Sequence, residues 1–86
     1  MGQIRKVVID VLKPHKPSIL ELANALSDAD QKCTVNIKVE EVDEQTETLV
    51  VTLSGINIDL EAVSAKIVEM GGSIHSIDEV EVGSGN

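Results

Sequence analysis

The chain has 86 residues, a net charge of −8, 42% hydrophobic residues and no Phe, Tyr or Trp. This length suits one small core, and the apolar share is too high for a disordered chain. The negative balance repels phosphate backbones, and the lack of aromatics removes base-stacking platforms, so nucleic acid is excluded as a partner.

The charge is uneven. Residues 1–39 carry a net +2 and residues 40–86 a net −10. The commoner meaning of such a block is a solvated acidic face; the sharper one is head-to-tail association or cation binding at the acidic end. Cys33 is alone, so no internal disulfide forms, and a reducing, cytoplasmic setting is expected. MGQIRKVVIDV lacks a signal-peptide layout, no apolar run reaches spanning length, and Lys6 breaks a myristoylation pattern at Gly2, so no membrane role is expected.

Residues 4–13 (IRKVVIDVLK) read as a strand, with Val7, Ile9 and Val11 on one face and Lys6, Val8, Asp10 and Leu12 on the other. The second face is half apolar, which suggests a central strand. Pro14 and Pro17 bracket the loop that ends it. Ser18-x-x-Glu21 is a capping box that starts a helix with the stripe Ile19, Leu22, Ala23, Leu26 and Ala29. Residues 33–42 (CTVNIKVEEV) alternate as a strand, with Val35, Ile37 and Val39 inward. A polar connector, DEQTE, leads to a second strand over 48–54, making a hairpin. Gly55 breaks that strand, and Asp59 caps a second helix with Leu60, Ala62, Val63, Ile67 and Met70 as its stripe. Gly71-Gly72 ends the helix. Residues 73–82 (SIHSIDEVEV) form the last strand, whose broken alternation suggests a bulge, and residues 83–86 read as a frayed tail.

The order β-α-β-β-α-β predicts an α+β, ferredoxin-like domain spanning residues 1–86. Four antiparallel strands lie in the order 4-1-3-2 with both helices on one face. The uncovered face is expected to carry Val8, Asp10, Leu12, Asn36, Lys38, Val50, Thr52, His75 and Ile77. An open, partly apolar face and two free edges predict self-association into a homo-oligomer.

IRKVVIDVLKPHKPSI, the hairpin, and above all MGGSIHSIDEV resemble an uncharacterised archaeal family, the domain of unknown function 211 proteins (DUF211). The likeness runs from Ile4 to Val82 and is most specific over Gly71–Val80. It implies a ferredoxin-like fold, closed ring-like assemblies, bound calcium in some members, and no established reaction. A weaker likeness is to small-ligand regulatory ACT domains. Val11-Leu12-Lys13-Pro14 leading into Pro17-Ser18-Ile19-Leu20 looks like their strand-to-helix turn, but Ser18 stands where those domains commonly have Gly.

Four constellations are candidates for chemistry. Glu40, Glu41, Asp43, Glu44 and Glu47 surround the hairpin and offer hard oxygen ligands for Ca²⁺, although EF-hand spacing is absent; a charged tip that keeps edges soluble is the commoner role. Asp78, Glu79 and Glu81 accompany His75 on the last strand. Without a bulge, His75, Glu79 and Glu81 share a side, and Glu79/Glu81 offers a cation a site shared with a neighbouring subunit. A charge-decorated edge is again the commoner role. Asp10 and His75 are expected to meet on the open face, as an acid–base pair or as a hydrogen-bonded contact. No nucleophile motif or phosphate loop accompanies them, so no enzyme is expected. Lys13, His15 and Lys16 precede the Ser18 cap, where a helix N-terminus and basic groups suit an anion. The same basic loop is also expected to meet the acidic hairpin of the next subunit. Cys33 has no second Cys or nearby His and reads as a small filler.

Overall fold

A computed structural model describes residues 2–84. The elements run β1 (Gly2–Pro14), α1 (Ile19–Ala29), β2 (Cys33–Val42), β3 (Thr46–Gly55), α2 (Leu60–Glu69) and β4 (Ser73–Ser84). All strand pairings are antiparallel, and the sheet order is β2-β3-β1-β4, which reads β4-β1-β3-β2 from the opposite edge. This α+β arrangement is consistent with a ferredoxin-like fold.

Val7, Ile9 and Val11 of β1 and Leu49, Val51 and Leu53 of β3 are fully buried. They pack with Leu22 and Leu26 of α1 and Val63 and Ile67 of α2 in one apolar cluster. Both helices therefore lie on the same face of the sheet. Burying a Leu or Ile side chain contributes about 2 kcal/mol, which is why the inward alternation dominates the choice of face. Among the described residues no helix is long and apolar enough to cross a membrane.

Local chemistry sets the helix ends. The Ser18 hydroxyl accepts from the Glu21 amide at 3.1 Å, and the Glu21 carboxylate accepts from the Ser18 amide at 3.2 Å. Asp59 accepts from the Ala62 amide at 3.0 Å. At the end of α2, the Gly71 amide donates to Val68 and the Gly72 amide to Ile67, with Gly71 at φ +91°. That paired closure uses the left-handed region open to glycine.

The edge strands are irregular. Register shifts in the β1–β4 pairing leave His75 and Asp78 of β4 and Arg5 of β1 without partners, and a shift against β3 does the same to Glu40 of β2. The bulge at His75 changes the parity of the residues after it. Ser76 pairs with Asp10 of the open face, whereas Ile77 pairs with inward Ile9. Ile77 thus belongs to the helix side and not to the open face where simple alternation puts it. Val80 and Val82 pair with inward Val7 and Ile4. The ladder continues through Gly83 and Ser84, paired with Gln3 and Gly2, where a frayed tail is expected; residues 85 and 86 lie outside the described residues.

Candidate functional site

β1 carries an inward row of Val7, Ile9 and Val11, and the next position of that row is Lys13. Its side chain is 1% exposed. The ammonium donates to the carbonyls of Pro14 at 2.8 Å and Pro17 at 2.5 Å, approaches the His15 carbonyl at 3.4 Å, and pairs with Glu47 Oε1 at 3.1 Å. Glu47 lies directly across from Lys13 in the β1–β3 register. Its other oxygen faces His15 Nδ1 at 3.1 Å, and His15 Nε2 reaches the Glu44 carbonyl at 3.0 Å. One clasp thus joins the end of β1, the loop after it and the β2–β3 hairpin. The Glu47 contact, with help from the Glu44 carbonyl, raises the His15 pKa. The His15 and then the Lys13 contacts lower that of Glu47.

This geometry redirects two expectations. The basic loop meets the acidic hairpin within one chain, so Lys13 and His15 are engaged without a second copy. The anion site before α1 also loses its parts: Lys13 turns inward, and Ser18 closes its own capping box with Glu21. Lys16 remains exposed.

The acidic residues stay dispersed. Glu40, Glu41, Asp43 and Glu44 are exposed around the hairpin, while Glu47 is held by Lys13 and His15. On β4, at the opposite edge of the sheet, Glu79 pairs with Lys6 at 3.0 Å and Asp78 accepts from the Ser76 hydroxyl at 2.8 Å, while Glu81 is exposed. Among the described residues no group of three or more His, Cys, Asp or Glu side chains is gathered closely enough to hold a metal ion.

Asp10 and His75 do come together. They line a half-open hollow of about 220 Å³ with Val11, Leu12 and Thr48. Asp10, Leu12 and Thr48 lie on the open face, and the β4 bulge brings His75 over the same side. No hydrogen bond joins Asp10 to His75.

The family model for domain of unknown function 211, described as uncharacterised ArCR, matches residues 5–85. The chain belongs to the DUF211 family. It is also similar to Uncharacterized protein MJ0319 of Methanocaldococcus jannaschii, with 45% identity over 83 residues covering 96% of this chain and 86% of that protein. In this DUF211 chain the burial of Lys13 is open to inference from β1 itself, since Lys13 continues the row Val7-Ile9-Val11. Glu47 likewise continues Leu49-Val51-Leu53 on β3. Two opposite charges at inward positions, on strands that pair, announce an ion pair with a buried Lys13 and a half-buried Glu47. Thr48 and Leu12 as lining of the hollow carry no comparable signal, because the strand register decides their meeting.

Proposed function

We propose that this DUF211 chain is a non-catalytic, ferredoxin-like module that assembles with copies of itself and holds divalent cations, Ca²⁺ foremost, where copies meet. One observation carries the reading. Ile77, Val80 and Val82 lie on the helix side of β4 by register, yet they are 47%, 51% and 57% exposed. The helices stop short of this strip, so a single chain leaves a row of apolar side chains wet. Covering what remains exposed contributes on the order of 1 kcal/mol per residue. A second copy is the occupant that supplies the same surface chemistry at equal concentration.

The cation part of the reading belongs to the same contact. Ca²⁺ needs six to eight oxygens, which the carboxylates dispersed over one chain do not offer together. Asp78, Glu79 and Glu81 interleave with the apolar strip along the edge strand, with Glu79 and Glu81 on its other face by register, so two copies meeting edge to edge at β4 would bring carboxylates of both beside the covered strip. A lone buried thiol at Cys33 fits a reducing cytoplasm. An ACT-type ligand site at Lys13–Ser18 is disfavoured because the Lys13 ammonium and the capping box occupy that turn.

Sedimentation velocity across a concentration series, in Ca²⁺ and in chelator, tests the proposal. The wild type is expected to sediment as a discrete oligomer, Val80→Lys to shift toward monomer with an unchanged far-UV spectrum, and chelator to weaken association. A wild-type monomer at every concentration, indifferent to Ca²⁺, would refute it.

A further inference from the structure

The hollow over β1 has a makeup that selects a ligand. Its acidic wall is Asp10, half-buried on a strand with neighbours on both sides. The ion pairs among the described residues involve neither Asp10 nor His75. Their side chains also take no part in the side-chain hydrogen bonds of the described residues. The opposite wall is His75, aimed over the open face by the bulge that frees it from the ladder; bulges recur where a side chain is redirected toward a ligand. Leu12, 41% exposed, supplies an apolar surface, and Thr48 adds a hydroxyl.

Charge and size narrow the choice. An anion meets the Asp10 carboxylate inside a chain of net charge −8. A hydrated Ca²⁺ finds one carboxylate and an apolar wall, far from the oxygen count it needs. A volume of about 220 Å³ is below the range of drug-sized sites. We propose that this hollow is a subsite for a small primary ammonium ligand with a short aliphatic stem. The ammonium pairs with the Asp10 carboxylate, the His75 ring and the Thr48 hydroxyl complete its hydrogen bonds, and the stem lies against Leu12. This site is on the face of the sheet opposite Ile77, Val80 and Val82, so it stands or falls separately from self-association.

The test is titration of the ¹⁵N-labelled full chain with n-butylammonium, followed by amide shift mapping. The expected result is a saturable response centred on Asp10, Leu12, Thr48 and His75 with Kd on the order of millimolar. Asp10→Asn is expected to weaken it about tenfold or more, as loss of a charge-assisted contact does. Asp28→Asn, on the exposed side of α1, leaves it unchanged, and butyrate and n-butanol give no saturable response at the hollow. Shifts that grow linearly over the acidic hairpin, an Asp10→Asn chain that binds like the wild type, or equal binding of butyrate each overturn the proposal. So does an Asp10→Asn effect on sedimentation without any butylammonium response, which would assign the hollow to a contact between copies.

Discussion

Replacing Lys13 with Met keeps the buried stem and removes only the ammonium. Three N–H donors meet three close acceptors, the Pro14 and Pro17 carbonyls at 2.8 and 2.5 Å and Glu47 Oε1 at 3.1 Å. After substitution the two carbonyls face a thioether, and each orphaned acceptor costs about 1 kcal/mol or more. Glu47 keeps His15 and some solvent, so its loss is smaller than for a fully buried partner. The sum is about 2–4 kcal/mol. Stability for a chain of this size is about 4–13 kcal/mol, so the loss is a large share of the total. In melting temperature it is a fall of about 10–25 °C. With no Trp or Tyr in the chain, far-UV circular dichroism is the probe, under urea and at one fixed protein concentration for both chains. A Lys13→Met chain within about 0.5 kcal/mol of the wild type would show that the ammonium is not seated as described.

Three further outcomes are expected. The raised His15 pKa contributes stability that is full below its ordinary value of 6.5 and is lost as pH rises through the folded value. The lowered Glu47 pKa contributes stability that is full above its ordinary value of 4.5 and is lost as pH falls through the folded value. The clasp is therefore tightest between those two pH values, and His15→Gln is expected to flatten the alkaline limb of a stability–pH curve; an unchanged limb contradicts the contact. At Gly72 a Cβ would stand 2.9 Å from Ile67 Cγ2 and 3.3 Å from Val11 Cγ1, so Gly72→Ala is expected to cost about 1–3 kcal/mol by crowding the core. Gly71→Ala meets open space and costs about 1–2 kcal/mol through its positive φ alone, so crystal structures of the two variants should show displaced core side chains only for Gly72→Ala. Ser18→Ala removes the first half of the α1 capping box and is expected to cost about 1 kcal/mol in urea unfolding, with Ser18→Thr near wild type.

Much of the fold is legible in the sequence because its determinants are local. Helix caps at Ser18 and Asp59, the glycine stop at Gly71-Gly72 and the inward rows of β1 and β3 depend on residues a few positions apart, which is the range over which a pattern can be read. The faces of β4 are not legible beyond His75. A bulge shifts parity by one, and its position depends on which strand lies alongside. Simple alternation therefore puts Ile77 on the wrong face, and the strip it forms with Val80 and Val82 emerges only from the register. The meeting of Asp10 and His75 is legible from topology. The internal clasp of Lys13, His15 and Glu47 reads from sequence as a contact between copies, because blocks of charge suggest surfaces even where two of the charges continue inward rows.

Gly2 and Ser84 stand opposite one another across the β1–β4 ladder, so the two ends of the described chain are neighbours in space. A short peptide link there would close the backbone into a circle, and new ends opened beside exposed Gln45 would interrupt no rung of the sheet. Such a circular permutant would begin with β3 and finish with β2. The order in which the strands are synthesised is thereby separable from the arrangement they reach.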